Sequence, residues 1–275
     1  MTLRTAITQG TELLTASGVP EPRLTAELLL CHAVHCERTY LYAHPEQELR
    51  EVEWIHYGRW LHERMQGKPL QYITKAQEFY GRAFLVTPEV LIPRPETELL
   101  IEIVLKRRSD ARAIVDVGAG SGAIAITLSL ELGVPVIATD ISRAALDIAA
   151  ANAASLKAAV QFVRADLIET FVDNSLDVVV SNPPYVPIVD RKTMQKEVRD
   201  WEPHIALFAG VSGLDIYRQL IPEALRVLKP GGLLALELGF GQADAVAALL
   251  KNWHNMDINR DLAGILRVIS CEKPL

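Results

Sequence analysis

The sequence predicts an α/β protein: a mainly parallel seven-stranded sheet with helices on both faces, a small helical bundle in front and a β-hairpin linking the two. Three observations lead there. From residue 113 onward, short β-branched or apolar runs alternate with stretches of helical period, the pattern of βαβ units. Residues 3–66 show helical periods only. Between the two, Tyr72, Ile73, Phe79, Tyr80, Phe84 and Val86 are spaced around Gly81 in a strand-like way that suggests a hairpin.

The first helix is carried by Leu3, Ile7, Leu13 and Leu14 and stops at Gly18, ahead of Pro20. Pro22 opens a second, with Leu24, Leu28, Leu29, Leu30 and Val34 as its apolar stripe. A third is expected from Pro45 to Met65, with Val52, Ile55, Leu61 and Met65 turned inward and Gly67 as its stop. Pro93-Arg94-Pro95-Glu96-Thr97 starts a helix through Lys106, since the first N–H groups of a helix are unpaired anyway. Strands are expected at 113–117, 135–139, 160–164, 176–181, 231–238, 255–259 and 265–270, and helices near 121–131, 142–157, 213–228 and 241–251. The last two strands follow each other without a helix, so the final strand is expected to be antiparallel. The expected domains are a helical one at 1–69, a hairpin linker at 70–92 and the α/β domain at 93–275.

Composition narrows the function classes. The 275 residues are 49% hydrophobic, enough for a sizeable core, and carry a net charge of −6, so no bulk field draws the protein onto nucleic acid. No run of 18 uncharged apolar residues suggests a membrane span, and no basic-then-apolar leader opens the sequence. Cys31, Cys36 and Cys271 are sparse and lack a CxxC pair, which points to reduced thiols and a cytoplasmic location. The run Cys31-His32-Ala33-Val34-His35-Cys36 raises a metal question. Its i,i+4 pairs fall on adjacent helix faces with no second cluster to complete a tetrahedral shell, so it reads as buried helix packing. His44, His56, His62, His204 and His254 have no triad-like company and read as surface or packing residues.

Two stretches carry the chemistry. Val178-Val179-Val180-Ser181 reads as a buried strand that ends abruptly in Asn182-Pro183-Pro184-Tyr185. Asn182 offers its amide carbonyl oxygen and Pro183 a backbone C=O with no N–H beside it, so the corner can hold both hydrogens of a planar NH2 group. Tyr185 adds a flat face. Alone, the corner is equally an ordinary strand-ending turn. The second stretch, Asp116-Val117-Gly118-Ala119-Gly120-Ser121-Gly122, takes a strand into a glycine turn spaced G-x-G-x-G rather than the G-x-G-x-x-G of dinucleotide folds. Asp140 ends the next strand, where an acid can hold ribose hydroxyls, and Asp166 follows the third, in reach of an adenine amino group.

These residues together resemble the class I S-adenosylmethionine-dependent methyltransferases, and Asn182-Pro183-Pro184-Tyr185 resembles those acting on amino and amide nitrogens. Gly67-Lys68-Pro69-Leu70-Gln71-Tyr72-Ile73, Phe79-Tyr80-Gly81, Leu91-Ile92-Pro93-Arg94-Pro95-Glu96-Thr97-Glu98, Glu202-Pro203-His204-Ile205-Ala206-Leu207 and Arg260-Asp261-Leu262-Ala263-Gly264 resemble the HemK/PrmC family. The likeness covers essentially the whole sequence, and Pro93–Glu98 is similar to the release-factor branch rather than the ribosomal-protein branch. It implies a Rossmann-like fold and transfer of a methyl group to the glutamine amide of the Gly-Gly-Gln motif of class I peptide chain release factors, with S-adenosylhomocysteine as product. It implies that Gly118, Ala119, Gly120, Ser121, Gly122, Asp140, Ile141, Asp166, Leu167 and Asn182 bind S-adenosylmethionine, that Arg94 and Thr97 close over it, and that Asn182, Pro183, Pro184 and Tyr185 hold the substrate amide. Capping of the helix at Pro95 accounts for Thr97 equally well. Leu167 departs from the family, in which an aromatic residue often covers the adenine. The N-terminal helices are implied to recognise the protein substrate, and the protein is expected to be a monomer without stable nucleic-acid binding.

An amide nitrogen is a poor nucleophile, because its lone pair is delocalised into the carbonyl. Holding both amide hydrogens would aim that lone pair, and placing the reacting atoms about 3–3.5 Å apart is worth about 7–11 kcal/mol. A nucleic-acid adenine N6 methyltransferase is the competing reading, since an exocyclic amine presents the same two hydrogens. The acidic balance opposes it, although Arg191, Lys192, Lys196 and Arg199 form a local basic run. A module that binds a nucleoside without turnover is the third reading.

Overall fold

The computed structural model describes residues 1–275. Contacts divide the protein into two compact units: Met1–Ala76 with Gln195–Trp201, and Gln77–Met194 with Glu202–Leu275.

The first unit is helical. It holds α1 (Leu3–Ala16), α2 (Pro22–Val34), α3 (Arg38–Ala43), α4 (Glu51–Met65) and α5 (Leu70–Thr74), together with the short helix Lys196–Trp201. Leu3, Leu14, Leu29, Leu30, Tyr57 and Leu61 form its centre. The third expected helix starts later than Pro45, at Glu51 as α4, and the short α3 before Pro45 was not expected. Residues 44–50 are held as a turn against the start of the sequence, with Leu3 N–H donating to the Gln47 carbonyl and Leu49 N–H to the Met1 carbonyl, both at 2.9 Å. The Glu53 carboxylate then accepts from Arg50 N–H at 2.8 Å, which starts α4. The inward face of α4 also differs from the expected one. Glu53, Tyr57, Leu61 and Arg64 are buried, while Val52 and Ile55 are 51% and 57% exposed. Leu13 on α1 likewise faces outward. The reason is ionic: Arg64 finds Glu197 and the Lys68 carbonyl inside the unit, so a charged residue occupies a position that hydropathy gives to an apolar one.

Tyr72 and Ile73 are not in a strand. Pro69 before them and Lys75 at φ +57° after them leave room for a single helical turn, and both side chains are buried. The Cys-His run does not stay on one helix either. α2 ends at Val34 with His35 at φ +58°, so Cys31 and His35 do not share a face; burial pushes the Cys31 thiol up to about 12. No group of three or more His, Cys, Asp or Glu side chains is placed to hold a metal ion. No helix is long and apolar enough to cross a membrane.

The hairpin pairs β1 (Ala76–Phe79) with β2 (Arg82–Leu85). Its two turn residues, Tyr80 and Gly81, both have positive φ (51° and 69°), the backbone that a tight two-residue hairpin requires. A 3-10 turn at Pro95–Thr97 leads into α6 (Glu98–Arg107). Then come β3 (Ile114–Val117), α7 (Ala123–Leu132), β4 (Val136–Asp140), α8 (Arg143–Leu156), β5 (Val160–Arg164) and β6 (Leu176–Ser181). After α9, the short helix Lys196–Trp201 already described, follow α10 (Asp215–Val227), β7 (Leu228–Glu237), α11 (Ala243–Leu249), β8 (His254–Arg260) and β9 (Leu266–Glu272).

The seven strands lie in the order β5-β4-β3-β6-β7-β9-β8, with β9 antiparallel to both neighbours and the rest parallel. Strand period 2 sorts the core into two layers. Ile114, Val178, Val180, Leu233 and Ala235 pack with α6, α7 and α8, whereas Val115, Val117, Val179, Leu234 and Leu236 pack with α10 and α11. β7 starts at Leu228 instead of 231, because Leu228 pairs with Leu176 before an irregularity that precedes the Val178–Leu233 pair. From β3 the backbone first builds outward to β4 and β5, then returns to lay β6 and β7 on the other side. The strand order therefore switches between β3 and β6, the place where such sheets open a crevice.

Gly10 of α1 lies against Tyr57: a Cβ there would sit 2.1 Å from the Tyr57 hydroxyl, which donates to the Ala6 carbonyl at 3.2 Å. Gly10→Ala is expected to destabilise the helical unit by about 1–3 kcal/mol. Urea denaturation reads this as a lower midpoint, and an unchanged midpoint would show that α1 and α4 separate freely.

Candidate active site

The strands on either side of the switch point end in step. Val117 stands opposite Thr139 on one side and Ser181 on the other, and Ser181 stands opposite Leu236. The residues that follow, Gly118, Asp140, Asn182 and Glu237, therefore gather at one edge of the sheet. A cleft opens there, lined by Gly118, Gly120, Asp140, Ile141, Asp166, Leu167, Asn182 and Pro184 among the residues expected from the sequence. Ala119, Ser121, Gly122, Pro183, Tyr185, Arg94 and Thr97 are not part of its lining.

The glycine turn has a backbone reason. Gly118, Gly120 and Gly122 have φ of +80°, +53° and +82°, and at Gly122 a Cβ would also meet Ile126 at 2.9 Å. Asp140 shapes this turn directly. Its Oδ2 accepts from Gly120 N–H at 2.9 Å and its Oδ1 from Ser142 N–H at 2.8 Å, and each oxygen keeps a second lone pair. Asn152 on α8, which lies outside the sequence motifs, ties the turn to the hairpin by donating to the carbonyls of Ser121 and Leu85 at 2.9 and 3.0 Å. Leu167 lines the cleft at φ +50°, the left-handed region, and packs against the α10 side of the core.

Asp116, the acid that opens the glycine motif, is fully buried. Its Oδ2 accepts from Ala125 N–H at 3.1 Å, and its Oδ1 has no partner. Burial, above all, pushes the carboxyl up to about 7; the Ala125 N–H opposes the rise and the charge of Asp140 adds to it. Asp140 and Asp166 line the cleft and suit a ligand with hydroxyl and amino groups.

The corner after β6 is stitched in place. Val186 N–H donates to the Leu207 carbonyl at 2.8 Å, Ala209 N–H to the Val186 carbonyl at 3.0 Å, and Gln242 Nε2 to the Tyr185 carbonyl at 2.8 Å. Tyr185 lies between Gly213 and Gly239, where a Cβ would come within 2.3 Å of its carbonyl or 2.9 Å of its ring. Its hydroxyl donates to Glu237 Oε1 at 3.3 Å, and burial pushes its phenol up. Asn182 Nδ2 donates to Thr97 Oγ1 at 3.2 Å, and Thr97 Oγ1 donates to Glu237 Oε2 at 2.6 Å. The Thr97 hydroxyl thus does not cap its own helix. Arg94 pairs with buried Glu202, whose Oε2 also accepts from Ile92 N–H at 3.3 Å. Glu202 is followed in sequence by Pro203, Ile205 and Ala206, which line the cleft, as expected of the loop 186–207. Glu237 had a signal as well: it is the single acid in the apolar run Leu233–Leu238. The basic run is divided, since Arg191 and Lys192 lie in the sheet unit while Lys196 and Arg199 belong to the helical unit, where Arg199 pairs with Asp200.

A carboxyl whose folded pKa lies above its unfolded value holds more protons folded than unfolded, so its contribution to stability falls as pH rises between the two. For Asp116 that window runs from 3.8 to about 7. Asp116→Asn is therefore expected to gain stability relative to the unsubstituted protein as pH rises through the window, by at most about 1.4 kcal/mol per pH unit. Urea titrations across it check this, and a stability difference independent of pH would contradict the buried, proton-holding state.

Known proteins share both the helical unit and this cleft-bearing sheet. Residues 5–74 match the PrmC N-terminal domain and residues 95–199 the methyltransferase small domain. The release factor glutamine methyltransferase of Koribacter versatilis is 46% identical over 278 residues, spanning 100% of this chain and 99% of that one. That of Moorella thermoacetica is 43% identical over 272 residues, 96% of each. Among solved structures, a methyltransferase from Pyrococcus furiosus superposes with a TM-score of 0.56 at 18% identity, covering 78% of this chain and 100% of that one, which speaks for the fold alone. On full-length identity of this order, the protein belongs to the PrmC/HemK family of release factor glutamine methyltransferases.

Proposed function

We propose that this protein transfers the methyl group of S-adenosylmethionine to the side-chain amide nitrogen of the glutamine in the Gly-Gly-Gln motif of peptide chain release factors. The observation that carries the reading is the Asn182–Pro183 corner: two carbonyl acceptors fixed at the end of β6, across the switch point from a glycine turn with acids around it. Family membership supports the choice of acceptor, since its full-length relatives are named for release factor glutamine methylation.

When bound, S-adenosylmethionine supplies a methyl carbon made electrophilic by a sulfonium. The residues fit such a ligand. Gly118 and Gly120 let the backbone approach, Asp140 has lone pairs left for ribose hydroxyls, and Asp166 and Leu167 line the part of the cleft suited to a base. Arg94 serves the site through Glu202, the residue before the cleft-lining Pro203.

Asn182 and Pro183 do the chemical positioning. Asn182 engages Thr97 through its NH2 and keeps its Oδ1 uncommitted, and the Pro183 carbonyl takes no backbone hydrogen bond. Each oxygen accepts one hydrogen of the glutamine amide, which fixes the amide plane so that the nitrogen lone pair perpendicular to it faces the methyl carbon. The bound cofactor would supply its methyl group to that lone pair, the S–C electrons staying on sulfur, and the nitrogen would release its extra proton to solvent. No base is needed before attack. Pro184 lines the cleft beside Asn182, while Tyr185 braces the corner from behind through Glu237.

The expected result for Asn182→Ala is a folded protein that binds cofactor with near-normal affinity and turns over about 100-fold more slowly or worse. Calorimetry with the cofactor and labelled-methyl transfer to purified release factor, with an oligonucleotide as the alternative acceptor, measure the two. Near-normal turnover would remove the amide grip, and transfer to the oligonucleotide in place of the release factor would move the protein to another substrate class.

A further inference from the structure

Glu237 takes no part in the transfer just described, yet it is buried beside the corner, 1% exposed within the apolar run Leu233–Leu238. It holds two hydroxyls, from Thr97 at 2.6 Å and Tyr185 at 3.3 Å. A hydroxyl has one proton. With that of Thr97 committed to the carboxylate, Oγ1 offers only lone pairs to its other neighbour, so Asn182 must approach with NH2 and not with C=O. A carboxamide fixed this way at one end has its oxygen at the other, and Asn182 lines the cleft.

We propose that Thr97 and Glu237 are positioning residues that set which way round the Asn182 carboxamide sits, so that the substrate amide always meets its oxygen. The inference rests on the reading of Asn182 as the acceptor for that amide. In the reversed orientation two NH2 groups would face each other, and the corner would repel the group it has to hold. Neither composition nor the corner motif implies the relay; it follows from the order of donors and acceptors from Glu237 through Thr97 to Asn182.

The relay is sensitive to protonation. The groups around Glu237 are Thr97 and Glu96 from the turn before α6, Tyr185 after β6, Arg267 on β9, and Tyr217 on α10, which donates to the Glu237 backbone carbonyl at 2.7 Å. Burial dominates and pushes the carboxyl up to about 7, with Glu96 adding to the rise; the Thr97 hydroxyl, the Arg267 charge and the Tyr185 hydroxyl oppose it. Once protonated, Glu237 becomes a donor toward Thr97. The Thr97 proton then turns to Asn182, and the demand on the amide reverses. Turnover at saturating cofactor should therefore fall as pH drops through the Glu237 pKa.

The test measures kcat, KM for both substrates and cofactor affinity for the unsubstituted protein, Thr97→Val, Thr97→Ser, Glu237→Gln and Asn182→Ala, from about pH 6 to about pH 9. Thr97→Val, which removes the hydroxyl at constant shape, should lower kcat about 100-fold with cofactor affinity unchanged, and Thr97→Ser should restore most of it. Glu237→Gln should lose the acid limb of kcat. The proposal is overturned if Thr97→Val keeps kcat within about threefold while Asn182→Ala is inactive, or if the loss lies wholly in cofactor affinity. If Thr97→Val does not fold, Thr97→Ser and the pH profile decide: an acid limb retained in Glu237→Gln, or a Thr97→Ser as slow as Asn182→Ala, rejects the relay. Normal turnover by Asn182→Ala would instead reject the functional reading beneath it.

Discussion

Val117 and Ser181 stand opposite each other at the ends of two neighbouring parallel strands, and the whole site depends on that register. Parallel neighbours bring the ends of non-consecutive segments to one edge, so Gly118 and Asn182, 64 residues apart in sequence, open onto one cleft. The Ser181 hydroxyl reinforces the alignment by donating to the Val117 carbonyl at 2.6 Å. A slip of one residue on β6 would move Asn182 and invert every buried side chain of the strand. Val178 and Val180 belong to one core layer and Val179 to the other, so both layers oppose such a slip. The same hydrophobic burial that holds the sheet together thus fixes the distance between the two chemical stretches.

Two acids, Asp116 and Glu237, are buried beside this edge at a cost in stability. Each is raised to about 7 by burial, yet they answer that burial differently. Glu237 is satisfied from inside the protein by two hydroxyls, while Asp116 keeps an oxygen without a partner. An acid satisfied internally orients its neighbours.

Much of this was legible in the sequence, and the reasons for the rest are physical. Strand period and β-branched runs located each strand of the sheet within three residues at either end; for β3 and β6 this is because parallel strands buried on both faces leave little room for other residue types. The glycine turn and Asn182–Tyr185 were visible since both need residues with special backbone behaviour. The helical unit was harder. Hydropathy turned Val52 and Ile55 inward, whereas the fold buries Arg64 on an ion pair with Glu197, a partner 133 residues away. Thr97 shows the same limit inside the site: a threonine at a helix entrance reads as a cap, and only the arrival of Glu237 and Asn182 from distant strands gives its hydroxyl another purpose. Contacts that join residues far apart in sequence leave no local period to read.

The chemistry expected of the corner explains why it is stiff rather than acidic. A nucleophile that must be deprotonated calls for a base with access to it, and Glu237, sealed behind Thr97 and Tyr185, has none. An amide that only has to be turned calls for two oxygens that do not move. Pro183 and Pro184 remove backbone freedom, Gln242 holds the Tyr185 carbonyl, and the bridge from Val186 to Leu207 and Ala209 anchors the loop that follows. Each of these restraints acts on backbone or on oxygen position, and none supplies a group for proton transfer at the cleft. On the proposed function, the site fixes geometry, and the buried carboxylate behind it serves that end by deciding which atom of Asn182 faces the substrate.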